Sequence, residues 1–171
     1  GDNYLDDEPY WPILEKAAEL GVPIYLHPAV PSIPALTKYG FALAAVPFGF
    51  GVETSICMMR LIYSGVFDRF PGLTFMLGHL GEGIPFLLQR MDFAYVKPYV
   101  DADARPELKK KPSDYLKENV YMTTSGNYLQ AAFMCTYEAM GIDRILLGTD
   151  YPYEDPKECM RFLEGLSLSQ E

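Results

Sequence analysis

His27 and His79 are the only two histidines in the 171 residues, and each closes an apolar run. Val22-Pro23-Ile24-Tyr25-Leu26 leads into the first, and Leu73-Thr74-Phe75-Met76-Leu77-Gly78 into the second. A third run, Ile145-Leu146-Leu147-Gly148, ends in Thr149-Asp150, and a fourth, Val120–Thr124, ends in Ser125 with Asn127 close behind. Two imidazoles and a carboxylate are the donor types that Zn²⁺, Mn²⁺ or Fe²⁺ take. An imidazole beside a carboxylate is also the usual proton-transfer pair. Each residue alone has an ordinary alternative: a hydrogen-bonded structural histidine, or an aspartate capping the helix that follows. Four polar strand ends together point to one site.

Glu82 lies three residues beyond His79, across a turn. A carboxylate there can hold one ring nitrogen, fix the tautomer and raise the basicity of the other nitrogen. The alternative is a helix-start acid facing the macrodipole. Arg90 falls on the same helical face as Phe86 and Phe93. Helical side chains tilt toward the amino terminus, so Arg90 is placed to reach a substrate carboxylate, Glu82 or Asp150. Its alternative is a cation snorkelling to solvent. Tyr153, three residues past Asp150, can bring a hydroxyl to the same place.

The elements that must position these residues follow from the apolar spacing. Helices are predicted over Pro9–Leu20, Glu53–Phe67, Ile84–Tyr95, Pro112–Lys117, Tyr128–Met140 and Asp155–Leu166. Strands are predicted over Val22–Leu26, Leu73–Gly78, Val120–Thr124 and Ile145–Gly148. Residues 29–49 read as a Pro-rich excursion with one helical stretch near Leu36–Ala45. Residues 97–112 read as a polar surface excursion. Solid apolar strands alternating with helices imply a parallel sheet with its strands buried on both faces. In such folds the site lies at the carboxyl ends of the strands.

Composition is that of a globular domain, 49% hydrophobic and 22% charged. Net charge is −9, which argues against nucleic acid or an anionic membrane as partner. No apolar run approaches the length of about 18 residues that a membrane span needs, and the acidic first residues carry no secretory pattern. Cys57, Cys135 and Cys159 form no Cys-x-x-Cys pair and read as reduced thiols of a cytoplasmic protein. No Gly-rich dinucleotide or phosphate loop is present, so no organic cofactor is expected.

Tyr25-Leu26-His27-Pro28, Gly78-His79-Leu80-Gly81-Glu82 and Gly148-Thr149-Asp150-Tyr151-Pro152 resemble, in order and spacing, the amidohydrolase-2 family. Its metal-dependent decarboxylase branch acts on γ-resorcylate, 2,3-dihydroxybenzoate and aminocarboxymuconate semialdehyde. The resemblance runs from Tyr4-Leu5-Asp6-Asp7 to the last helix. It implies a (β/α)8 TIM barrel, of which residues 1–171 form the carboxyl-terminal half, strands 5–8. It further implies one divalent metal ion, Zn²⁺ or Mn²⁺, with His27 and Asp150 as ligands. His79 with Glu82 becomes the acid–base group, Asp150 shares in proton handling, and Arg90, Tyr153 and Asn127 become substrate contacts. The family's strand-1 ligand pair, Glu-x-His or His-x-His, has no counterpart here. The implied activity of the intact protein is non-oxidative decarboxylation of a hydroxybenzoate, a small aromatic carboxylate. The implied assembly is a homo-oligomer, or pairing with the missing amino-terminal half. Hydrolysis of a lactone or amide with the same residues is one alternative, and an inactive half-barrel acting as an assembly module is another.

Overall fold

The computed structural model describes residues 3–97 and 107–168. Most of the polar excursion expected over 97–112, residues 98–106, lies outside them, as do residues 1–2 of the acidic lead-in. Four strands form one parallel sheet in the order β1 (Ile24–Leu26), β2 (Phe75–Leu77), β3 (Val120–Thr123) and β4 (Ile145–Leu146). The register is fixed by Leu26 opposite Leu77, Leu77 opposite Met122, and Thr123 opposite Leu146. Spatial order equals chain order, with no point at which the winding reverses. Right-handed crossovers in one direction put the connecting helices on one side of a parallel sheet. This is the winding of a barrel wall, not of a doubly wound sheet.

Nine α-helices lie among the described residues. The first, α1 (Trp11–Leu20), ends at Gly21, which adopts the left-handed conformation. Two four-residue helices, α2 (Pro34–Thr37) and α3 (Phe41–Ala44), stand where one stretch was expected, because Gly40 turns between them with φ 58°. The expected helix Glu53–Phe67 begins earlier, as α4 (Gly49–Tyr63). It breaks at Gly65, also left-handed, before α5 (Val66–Arg69). The remaining helices are α6 (Ile84–Val96), α7 (Pro112–Asn119), α8 (Gln130–Met140) and α9 (Pro156–Glu164).

The core lies between sheet and helices. Phe75, Leu77, Val120 and Met122 on the sheet meet Leu14 of α1, Met58, Leu61 and Ile62 of α4, Ile84 of α6 and Leu116 of α7, all buried. Each such side chain contributes about 1.5–3 kcal/mol by leaving water. Asn119 ties the helix layer to the strand entry, donating from Nδ2 to the carbonyl of Leu73 at 2.9 Å and of Pro71 at 3.2 Å.

Burial on both faces, expected for the strands, holds for one face only. Side chains alternate across a strand, so the aligned residues Tyr25, Met76 and Tyr121 point away from the helices. Tyr25 is half exposed. Met76 and Tyr121 are partly buried, with the Arg144 guanidinium over the Tyr121 ring, and among the described residues the outer edges of β1 and β4 have no strand partner.

Candidate active site

The polar residues expected at strand ends all leave the sheet at its carboxyl edge. His79 follows β2 in a short 3₁₀ turn, His79–Gly81, rather than continuing the strand. The turn is tight: His79, Leu80 and Glu82 have φ of 53°, 56° and 54°, with Gly81 and Gly83 also positive. After β4 the chain turns through Asp150, at φ 60°, where the Asp150 carbonyl accepts the Tyr153 N–H at 2.8 Å. The peptide bond Tyr151–Pro152 is cis.

These two turns bring three of the expected residues together. His79 Nδ1 lies 2.5 Å from Glu82 Oε1, and His79 Nε2 lies 3.6 Å from Asp150 Oδ2. The imidazole is thus flanked by two carboxylates, one on each ring nitrogen. Hydrogen bonding to Glu82 raises the His79 pKa above its ordinary value of 6.5, the charge of Asp150 adds to this, and burial opposes it. These surroundings favour the protonated ring, and an imidazole beside carboxylates is of the type that moves protons. Gly126 makes the approach possible. A Cβ on it would come within 2.8 Å of His79 Cδ2 and 3.2 Å of Asp150 Oδ2.

His27 is placed differently. It leaves β1 beside Gly78 in the register but is exposed, with Nδ1 2.9 Å from the carbonyl oxygen of Pro28 and its ring edge-on to Phe50. It lines a cavity of about 330 Å³ with Tyr4, Glu53, Thr54 and Cys57. His27 and Asp150 are of the donor types a divalent metal takes. Among the described residues, however, no group of three His, Cys, Asp or Glu side chains is placed to hold a metal ion.

Of the three expected substrate contacts, Asn127 is half-buried close to Gly126 and Tyr153 is exposed. Arg90 is exposed as well. It shares its face with Phe86 and Phe93, as the spacing requires, but that face looks outward: α6 buries Ile84, Leu88 and Met91 instead. The ion pairs of Glu82 and Asp150 are with His79, not Arg90. Sequence reasoning also passed over Thr123 and Thr124, and used Ser125 only as a marker of a strand end. Ser125 Oγ accepts the backbone N–H of His79 at 3.2 Å. Three hydroxyls in a row at the end of an apolar strand were the available signal.

A singly wound parallel sheet with an imidazole between two carboxylates at its carboxyl edge is the layout of a barrel-type fold whose polar groups gather at the strand ends. The sequence matches the Amidohydrolase family, Amidohydro_2, over residues 1–169, and the chain belongs to that family. It is 37% identical over 169 residues to the gamma-resorcylate decarboxylase of Polaromonas sp. (strain JS666 / ATCC BAA-500), which covers 98% of this chain and 51% of that protein. Its fold matches 5-carboxyvanillate decarboxylase from Sphingomonas paucimobilis with a TM-score of 0.91 at 36% identity, over 99% of this chain and 50% of the other. It also matches a dihydroxybenzoic acid decarboxylase from Polaromonas sp. JS666, with bound manganese and the inhibitor 2-nitroresorcinol, with a TM-score of 0.86 at 37% identity, over 98% and 50%. The chain spans about half the length of the curated relatives it matches. Its four strand–helix units are half of an amidohydrolase-type barrel.

Proposed function

We propose that residues 1–171 form the carboxyl-terminal half of one barrel domain, and that the intact protein is a metal-dependent, non-oxidative decarboxylase of a hydroxybenzoate. The observation that carries this reading is His79 held between Glu82 and Asp150 at the strand ends, in a chain whose relatives are decarboxylases of small aromatic acids. His27 and Asp150 would hold a divalent metal, Mn²⁺ or Zn²⁺, jointly with donors from the rest of the protein. When bound, the metal supplies charge that orients and polarises the oxygens of the substrate.

This chain's own residues handle the proton. Glu82 keeps the His79 imidazole protonated and correctly turned. Nε2, or Asp150 beside it, delivers that proton to the ring carbon bearing the carboxylate. The ring loses aromaticity as the new C–H bond forms. The C–C bond to the carboxylate then breaks, its electron pair returns to the ring, and CO₂ leaves. Asn127 and Tyr153 border the same edge and are proposed to contact the ring substituents, with Arg90 as a carboxylate contact. Because Arg90 faces outward, that last role calls for an assembly that brings a site to it, which fits a homo-oligomer. The unpaired cysteines fit a cytoplasmic protein.

The test is CO₂ release from 2,6-dihydroxybenzoate by the intact protein with Mn²⁺. His79→Ala is expected to lower the rate by about 10²–10⁴-fold, the usual contribution of a positioned acid or base. Unchanged turnover in that variant removes His79 from the mechanism.

A further inference from the structure

Strand β3 ends at Thr123 and runs on into two more hydroxyl residues, Thr124 and Ser125, all three at most 4% exposed. Alternation sends Thr123 and Ser125 to one face and Thr124 to the other. Each reaches a different strand. Ser125 Oγ accepts the N–H of His79, just past β2, at 3.2 Å. Thr123 Oγ1 lies 2.9 Å from Ser125 Oγ and 3.0 Å from Tyr25 Oη on β1. Thr124 Oγ1 grips one residue just past β4 twice, donating to the Gly148 carbonyl at 2.8 Å and accepting the Gly148 N–H at 3.2 Å. Gly148 stands two residues before Asp150. Among the described residues, no backbone hydrogen bond joins the His79 turn directly to the Asp150 turn.

We propose that Thr123-Thr124-Ser125 is a positioning brace that sets the separation of His79 and Asp150 by tying the ends of β1, β2 and β4 to β3. The proposal rests on the acid–base reading of that pair. Proton bookkeeping gives the hydroxyl chain one direction. Ser125 already accepts from His79, so its own proton goes to Thr123 Oγ1, and the Thr123 proton goes to Tyr25 Oη. The spare proton then sits on half-exposed Tyr25, where a partner is available. The opposite direction would leave the Ser125 proton unpaired in a buried site, which costs the desolvation of a lone donor. The brace also explains how two left-handed turns keep one relative placement: each is fixed to the same strand by part-buried hydrogen bonds.

The first measurement needs no variant. In the intact protein, amide hydrogen exchange should show the His79 and Gly148 N–H groups protected, although both lie past their strands. Exchange at the rate of open loop amides at either position would overturn the brace. The second is kinetic, with 2,6-dihydroxybenzoate and Mn²⁺. Ser125→Ala and Thr124→Val should each lower kcat about 10- to 100-fold, the usual cost of removing a group that orients a functional residue, with KM held. Thr124→Ser, which keeps the hydroxyl, should restore kcat. Wild-type kcat in folded Ser125→Ala and Thr124→Val, or a Thr124→Ser variant as slow as Thr124→Val, would overturn the proposal. A wild-type protein that releases no CO₂ defeats the decarboxylase reading instead, and the exchange rates still decide the brace.

Discussion

The two histidines leave adjacent parallel strands and meet opposite surroundings. His27 is exposed, with one ring nitrogen near the carbonyl of its own neighbour, Pro28. His79 is partly buried, pinned at its backbone by Ser125 and at both ring nitrogens by carboxylates. The backbone tells the same story. Among the described residues, every non-glycine residue with positive φ belongs to the His79 end: His79, Leu80, Glu82 and Asp150. Such conformations cost on the order of 1–3 kcal/mol each and persist where the surroundings over-determine them. The difference matches the two roles proposed for them: proton handling at His79, and at His27 a metal ligand completed by donors from the rest of the protein.

After His79→Ala itself, the largest expected effect comes at the His79 end. Gly126→Ala places a methyl group where His79 and Asp150 close on each other, at a residue whose own φ is +62°. A displacement of about 1 Å at a reacting centre costs roughly 10²-fold in rate, and a loss of that order in kcat is expected. Gly141→Ala is the matched control. Its φ is also positive, at 85°, but a Cβ there meets nothing within 4 Å. It should lower stability by about 1–3 kcal/mol, the cost of a backbone region that glycine alone readily enters, here φ 85° and ψ 156°, and leave kcat alone. Equal losses of kcat in the two variants would mean that general backbone strain, not the approach of His79 to Asp150, limits the rate.

Glu82→Gln is the next in size. Glu82 is the first cause of the raised His79 pKa, so the neutral amide should lower that pKa and reduce kcat about 10- to 100-fold. The sign for stability follows from linkage. The metal-free folded state favours the imidazolium, so His79 contributes stability that is fully present below pH 6.5, its unfolded value. That contribution is lost as pH rises through the higher folded value. Denaturant titrations on either side of this window should show the wild type weakening with rising pH and Glu82→Gln weakening less. An unchanged slope would show that Glu82 does not hold the proton on His79.

How much of this was legible depends on which physical signal each residue carried. The four strands and the helices between them were readable because their apolar runs and helical spacing report burial directly. The candidate residues His27, His79 and Asp150 were readable as polar groups close behind those runs. The break at Gly65 was not, because the apolar period runs straight through it from Ile62 to Val66 and only the left-handed φ stops the helix. The left-handed turn at His79, Leu80 and Glu82 was equally hidden. Local preference assigns such φ to glycine, and here tertiary contacts override it. The outward direction of Arg90 followed from Ile84, Leu88 and Met91 being the buried stripe of α6, a choice between two apolar faces that spacing alone did not make.

The smallest expected effect tests the His27 end. In this chain, His27→Gln removes an exposed ring, one bond to a neighbouring carbonyl and an edge contact to Phe50 at 6.2 Å between centroids. Surface substitutions of this kind change stability by about 0.5 kcal/mol or less, and the unfolding midpoint should barely move. The same substitution in the intact protein should weaken Mn²⁺ retention, measured by metal analysis after dialysis, because one donor of the proposed set is gone. The pairing of the two readouts is what discriminates. A residue kept for structure would cost stability and leave the metal in place, whereas a ligand position costs metal and leaves the fold. Retained Mn²⁺ in a folded His27→Gln protein would take His27 out of the metal site and leave Asp150 as this chain's one proposed donor.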